Sequence, residues 1–115
     1  MKPIVRGEIL KINLNPTQGR EQQGDARPCI VLSNSQFNAK RQGIVIVSPI
    51  TNTIKPQVKT LIVLPKDLKI SGSVVAEQIR TVDLKQRWFT STGVVLKHDF
   101  VDRITHVVSQ LISGS

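Results

Sequence analysis

Aromatic residues and cysteine are scarce in this sequence of 115 residues. Tyrosine is absent, and the aromatic set consists of Phe37, Trp88, Phe89 and Phe100. A surface that stacks the bases of a single-stranded nucleic acid on aromatic rings is therefore poorly supplied. Cys29 is the sole cysteine, which excludes an intrachain disulfide. Its place in the apolar stretch 28–32 predicts a buried structural thiol rather than a reactive one.

Long apolar stretches are also missing. No segment approaches the roughly 20 consecutive apolar residues that a transmembrane helix needs. The first residues lack the apolar core of a signal peptide. We therefore expect a cytoplasmic protein without a membrane span.

Acidic residues are few, since 8 Asp and Glu stand against 16 Lys and Arg. The formal net charge of +8 and the isoelectric point near 10.3 suit a polyanionic partner, either nucleic acid or a very acidic protein. A basic surface that only maintains solubility is the alternative. No spacing of Cys, His and carboxylates is typical of a metal site. We expect neither a metal nor another cofactor.

Hydrophobic periodicity predicts short strands followed by a helix. The strands are expected at 8–14, 29–32, 44–47, 58–64 and 73–82, with a weaker one at 93–96. Asn34 and its serine neighbours can cap a brief helical turn that carries Phe37. From Asp99 to Ile112 the apolar residues recur three or four positions apart, as in an amphipathic helix. We expect one α+β domain over residues 1–115, a small β-barrel covered by the C-terminal helix.

A long polar segment, residues 15–26, separates the first two strands, and long loops in compact domains tend to be functional or disordered. It ends at Arg27, whose backbone is biased toward an extended conformation by Pro28. The planar guanidinium of an arginine can bind two phosphate oxygens at once. Hydroxyls and carboxylates follow at the strand end 48–51 and in the segment 77–83.

The sequence contains four motifs in the same order as one known toxin family. They are Arg6-Gly7-Glu8-Ile9, Pro16-Thr17-x-Gly19-x-Glu21-Gln22-x-Gly24-x-x-Arg27-Pro28, Pro49-Ile50-Thr51 and Glu77-Gln78-Ile79-Arg80-Thr81. Together they resemble the MazF/PemK toxins of type II toxin–antitoxin systems over nearly the whole chain. The resemblance implies a homodimer of SH3-like barrels and sequence-specific cleavage of single-stranded RNA without metal. In that reaction the 2′-hydroxyl attacks the phosphodiester and leaves a 2′,3′-cyclic phosphate and a 5′-hydroxyl.

The resemblance also implies roles for particular residues. Arg27 would stabilise phosphate charge, Thr51 would hydrogen-bond the scissile phosphate, and Glu21 would act as the general base. Alternatively, Glu21 only pairs with Arg27 and orders the loop. The same motifs supply candidate RNA-binding residues, namely Arg20, Gln22, Ser48, Thr53, Glu77, Gln78 and Arg80.

The chain departs from some PemK-like members, which carry His, Arg and Asp at the positions of Arg20, Val75 and Glu77. Val75 cannot transfer a proton, so a mechanism that relies on arginine there cannot operate. Glu77 keeps a carboxylate and is a second candidate base, which leaves the assignment of acid and base open. His98 and His106 lie about 12 Å apart along the predicted helix and cannot serve one phosphate.

Two other functions fit parts of the sequence. A CcdB-like toxin binds DNA gyrase through the end of its terminal helix and cleaves nothing, but residues 111–115 offer no tryptophan there. A nucleic-acid-binding barrel without catalysis fits the charge and leaves the loop motif unexplained. The charge and the resemblance together predict an antitoxin partner with an acidic, disordered tail that folds on binding.

Overall fold

The computed structural model describes residues 3–15 and 26–114. Within them, seven strands and two α-helices follow one another. The elements are β1 (Glu8–Asn13), β2 (Ala26–Val31), α1 (Ser35–Arg41), β3 (Ile44–Thr51), β4 (Leu61–Val63), β5 (Ser73–Val75), β6 (Arg80–Asp83), β7 (Phe89–Val95) and α2 (His98–Ser113). Two short 3-10 turns, Ala76–Gln78 and Leu84–Gln86, flank β6. None of the helices described is long and apolar enough to cross a bilayer.

All strand pairs are antiparallel, in the order β4-β5-β3-β2-β1-β7, and β6 is a further neighbour of β3. β3 pairs with β2 on one side, and on the other side first with β6 and then with β5. In the described part of the chain β4 and β7 each have one strand neighbour, so strand pairing does not close the sheet. The predicted α+β class is confirmed, with a seven-stranded sheet that stays open.

Apolar side chains cover both faces of the sheet, because successive residues of a strand point to opposite sides. The face that α2 covers, here the α2 face, carries Ile9, Ile30, Ile50, Ile62 and Val74. The opposite face, here the Cys29 face, carries Leu10, Ile12, Cys29, Val31, Val45, Val47 and Val82. The helix buries Phe100, Val101, Ile104 and Val108 against its side. Each of these side chains contributes about 1.5–3 kcal/mol when fully buried.

Both helices follow the predictions from sequence. The side chain of Asn34 caps α1 by accepting a hydrogen bond from the Phe37 amide at 2.8 Å. α2 begins one residue before the predicted Asp99. It ends at Ser113 and is capped by Gly114, which has a positive φ and donates its amide hydrogen to the Gln110 carbonyl.

Four strand predictions need correction, and the first concerns β3, which runs past its predicted end at 47 to Thr51. The predicted strand 58–64 shortens to β4, because the Val58 amide bonds the Lys55 carbonyl and the Leu61 amide bonds the Val58 carbonyl in successive turns. The predicted strand 73–82 is divided by the 3-10 turn that the Ile79 amide closes on the Ala76 carbonyl. β7 starts at 89 rather than 93, so the predicted segment 93–96 was only the end of a longer strand.

Candidate active site

Arg27 and Thr51 come from the ends of two neighbouring strands. Cys29 in β2 is paired with Pro49 in β3. Because successive residues of a strand alternate between faces, Arg27 and Thr51 share the face of Cys29 and Pro49, each two residues beyond that pair. Arg27 is exposed and Thr51 half-buried, so both are accessible beside the Cys29 face.

A second arginine approaches the same region from β6. Arg80 is in register with Val47, which is in register with Val31, so its side chain belongs to the Cys29 face. Burial raises the pKa of the Cys29 thiol to about 12, and the positive charges of Arg27 and Arg80 act in the opposite direction. Both guanidinium groups therefore lie within electrostatic reach of one buried thiol. The predicted burial of Cys29 is confirmed.

The two arginines have no carboxylate partner in the described residues, where the one ion pair joins Arg6 to Asp102 at 2.8 Å. A guanidinium without a carboxylate partner among the described residues favours a bound anion, and these two, here called the arginine patch, belong to one face of the sheet. Their forked donors match the oxygens of a phosphate. The patch is thus chemically suited to a phosphodiester.

The Thr51 side chain is oriented by the turn that follows β3. Its hydroxyl oxygen accepts the Thr53 amide at 3.3 Å and contacts the Thr53 hydroxyl at 3.4 Å. The second distance is long for an O–H···O bond, so the hydroxyl hydrogen is free to turn toward a phosphate oxygen. Thr53 itself is exposed.

Gly72 lies directly against the backbone of Thr51, a contact that sequence reasoning missed. It has φ +127°, and a Cβ atom placed on it would lie 2.1 Å from the Thr51 carbonyl oxygen. The next residue, Ser73, pairs with Thr51 in the sheet. Only glycine lets the two backbones approach this closely. The signal in the sequence is a glycine directly before a strand, which by itself does not reveal what it contacts.

Glu77 and Gln78 are exposed on the 3-10 turn between β5 and β6. The Thr60 hydroxyl donates a hydrogen bond of 2.7 Å to Glu77 Oε1, and the Thr60 carbonyl accepts the Ala76 amide. The carboxylate is therefore held by a residue 17 positions earlier. Nothing in the sequence pattern singles out Thr60 for this role.

Among the described residues, Ser48 does not join this group. Ser48 is fully buried, in register with Ile30 of the α2 face, and its hydroxyl has no partner in the described residues. It therefore presents no donor at the surface of the Cys29 face. Arg20, Glu21 and Gln22 lie outside the described residues.

The histidines also stay apart from the two arginines of the patch. His98 Nδ1 lies 3.2 Å from Arg6 Nη1 at the start of α2, and His106 is exposed farther along the helix. Val75 is buried in β5. Over residues 3–15 and 26–114, no three His, Cys or carboxylate side chains are grouped as metal ligands.

Comparison with known proteins finds relatives both by sequence and by fold. The chain is 34% identical over 92 residues to the endoribonuclease toxin ChpB of Escherichia coli strain K12, which covers 77% of this chain and 78% of ChpB. The crystal structure of MazF from Deinococcus radiodurans superposes with a TM-score of 0.80 at 26% identity, over 97% of this chain and 98% of that one. A MazE–MazF crystal structure from the same organism shares the fold, with a TM-score of 0.79 at 22% identity over 98% of both chains.

The sequence profile of one family spans almost all of the described elements. It matches residues 5–112, which include β1 to β7 and all of α2 except its last residue. The chain belongs to the family of PemK-like, MazF-like toxins of type II toxin–antitoxin systems.

Proposed function

We propose that this toxin is a sequence-specific endoribonuclease that cleaves single-stranded RNA without a metal ion. The observation that supports it most is that Arg27, Thr51 and Arg80 belong to the Cys29 face of the sheet, with Arg27 and Thr51 each two residues beyond the paired Cys29 and Pro49. ChpB is named an endoribonuclease toxin, and the PemK and MazF toxins are endoribonucleases. The CcdB-like alternative is disfavoured by these relatives.

The chemistry requires charge stabilisation and two proton transfers. The 2′-hydroxyl forms a bond to the adjacent phosphorus while the bond to the 5′ oxygen breaks, leaving a 2′,3′-cyclic phosphate and a 5′-hydroxyl. Arg27 stabilises the negative charge that builds on the phosphorane oxygens, and Thr51 donates a hydrogen bond to one of them. Fixed charge of this kind is usually the largest contribution to catalysis. A base removes the 2′ proton and an acid protonates the leaving oxygen, together worth about 10²–10⁴-fold.

Glu21 and Glu77 are the two candidates for the base. Glu77 is exposed and anchored by Thr60, whereas Glu21 lies outside the described residues. Single-turnover rates of Glu21→Gln and Glu77→Gln against pH separate them. Loss of the acidic limb of the profile in one variant identifies the base. A limb that persists in both variants assigns both carboxylates to RNA binding or loop order.

The decisive experiment is cleavage of a long single-stranded RNA in excess EDTA by the wild type and by Arg27→Ala. We expect discrete products with cyclic phosphate ends from the wild type, and intact RNA from the folded variant. Lys40→Ala, which removes one charge from α1, serves as the matched control and should cleave normally. Intact RNA with the wild type, or normal cleavage by Arg27→Ala, would contradict the proposal.

Thr51 is tested by paired substitutions. Thr51→Val keeps the shape and removes the hydroxyl, and we expect a rate about 10–100-fold lower, the effect of one hydrogen bond to a charged group. Thr51→Ser keeps the hydroxyl and should retain most activity. Equal rates for Val and Ser would show that the hydroxyl takes no part.

RNA binding around the cleaved bond is assigned to Arg20, Gln22, Thr53, Gln78 and Arg80. Because Arg80 contacts phosphate rather than reacting atoms, Arg80→Gln should raise KM more than it lowers kcat. The reverse pattern would place Arg80 in the catalytic step instead.

The partners follow from the toxin family and the charge. We propose that an antitoxin with an acidic, disordered tail covers the Arg27 and Arg80 patch and so competes with RNA. We also propose a homodimer, supported by the large exposed fractions of Val95, Leu111 and Ile112, at 53%, 51% and 81%. A synthetic acidic tail that leaves RNA binding unchanged would contradict the first proposal. A monomeric mass at micromolar concentration by light scattering would contradict the second.

A further inference from the structure

A groove of about 310 Å³ lies along the open side of the sheet, between β7 and the loop that joins β4 to β5. This groove, here called the seam groove, is lined by Lys11, Lys69, Ile70, Thr90, Thr92 and Val94. Lys11 alternates with Leu10 and Ile12 of the Cys29 face, so it projects from the α2 face. The seam groove is therefore on the other side of the sheet from Arg27.

The seam groove is positively charged. Lys11 and Lys69 are exposed, and neither has an ion-pair partner in the part of the chain that the structure describes. The nearby carboxylate of Glu8 is occupied, since it accepts hydrogen bonds from the Ser91 hydroxyl and the Val5 amide. Two ammonium groups across a groove without a paired carboxylate favour a bound anion.

The groove also has an apolar side. Ile70 and Val94 are half-buried and pack against the core beneath α2. A ligand that carries a phosphate next to a flat, weakly polar group matches this combination, and a nucleotide has both parts. Ligand pockets of about 300 Å³ and more commonly hold small molecules of that size.

A peptide strand is a poorer occupant, although β1 is the only strand neighbour of β7 among the described residues. The amides of Gly93 and Val94 are already bonded to the hydroxyls of Ser91 and Thr92, both at 3.2 Å. Because neighbouring amides of a strand point to opposite edges, an added strand would find one of these two donors on its side already used, which protects the edge. The hydroxyl of Thr90 makes no hydrogen bond within the described residues and is available to a phosphate oxygen.

We propose that the seam groove is a second nucleotide subsite for the RNA substrate, with a phosphate between Lys11 and Lys69 and the ribose or base against Ile70 and Val94. The proposal rests on the proposed endoribonuclease function. Lys11 is in register with Pro28 and shares its face of the sheet. The preceding residue, Arg27, projects from the opposite face. RNA at Arg27 reaches the seam groove only by passing around the sheet, so the bound nucleotide lies several positions from the cleaved bond.

The test is the length dependence of RNA binding. Random-sequence 2′-O-methyl RNA, which lacks the attacking hydroxyl, is titrated as 6-mers and 16-mers against the wild type, Lys11→Gln/Lys69→Gln and the control Lys40→Gln/Lys66→Gln. We expect the groove variant to bind 6-mers as the control does and to bind 16-mers about 10-fold more weakly. Its salt slope with 16-mers should become shallower by about 0.7 for each phosphate that the groove no longer neutralises. Equal binding of the 16-mers by groove variant and control would overturn the proposal.

Two further probes separate other anions from RNA. If adenosine monophosphate binds the wild type but not the groove variant, while 16-mers bind both equally, the groove is a free-nucleotide site instead. A polyglutamate peptide that binds the groove variant more weakly, while RNA does not, would assign the groove to an acidic protein. Because the RNA is not cleavable, a failure of cleavage leaves this test intact and contradicts only the proposed function.

Discussion

Substituting Gly72 by alanine tests whether a close backbone contact holds Thr51 in place. A Cβ at this position would lie 2.1 Å from the Thr51 carbonyl oxygen, whereas real Cβ contacts stay above 3.0 Å. One of the two backbones must therefore move by about 0.9 Å. The positive φ of +127° adds about 1–2 kcal/mol for a residue with a side chain. Overpacking of this kind adds about 1–3 kcal/mol.

Gly93→Ala is the matched control, because Gly93 also has a positive φ, +81°, but no atom lies within 4 Å of its Cβ position. In urea unfolding we expect Gly93→Ala to lose about 1–2 kcal/mol and Gly72→Ala about 2–5 kcal/mol. A shift near 1 Å at a reacting group can cost about 10²-fold in rate, so Gly72→Ala should also cleave RNA far more slowly at a temperature where it is folded. The reasoning is refuted if the two variants are equally stable and equally active.

Three further predictions concern single residues. Asn38→Ala should lower the free energy of unfolding, measured in urea, by about 2–4 kcal/mol. The buried amide of Asn38 donates to the carbonyls of Ile4 and Ser33 and accepts from the Ser33 hydroxyl, and all three hydrogen bonds would be lost. A loss below about 1 kcal/mol would contradict this. Gln42→Gly should stabilise the fold by about 1 kcal/mol and so raise the midpoint of thermal unfolding, because Gln42 caps α1 with a φ of 45° that glycine adopts without strain. An unchanged midpoint would contradict this. Above pH 9 the unfolded Cys29 thiol ionises while the folded one, with a pKa of about 12, keeps its proton, so stability should fall by roughly 1 kcal/mol per pH unit. Urea unfolding of Cys29→Ala should lack this component of the slope.

The helices were predictable because their signals are local. The stripe from Asp99 to Ile112 and the cap at Asn34 depend on spacing within a few residues. β3 was predicted to stop before Pro49, yet it continues to Thr51. The reason is tertiary, since Ser48 and Pro49 fall where β6 has ended and β5 has not begun, and no strand on that side needs the missing proline amide.

The sequence motifs name the residue types of the candidate site, but they do not reveal which residues support them. The motifs name Arg27, Thr51 and Arg80, and the strand register directs them to one face. Ser48 belongs to the same motif as Thr51, but the alternation of β3 points it into the core. Gly72 and Thr60 act through contacts made by folding, which no short pattern encodes.

The position of β1 between β2 and β7 has a consequence for how the toxin is made. Leu10 pairs with Cys29 and also with Ser91, so from position 10 to position 91 the separation is 81 residues. A nascent chain completes this pairing only after the ribosome has released β7, and α2 covers Ile9 and Ile30 later still. We therefore expect a fragment ending at residue 88 to unfold without cooperativity, and a sharp transition would contradict this. The cell therefore meets a folded toxin only after both β7 and α2 have been synthesised.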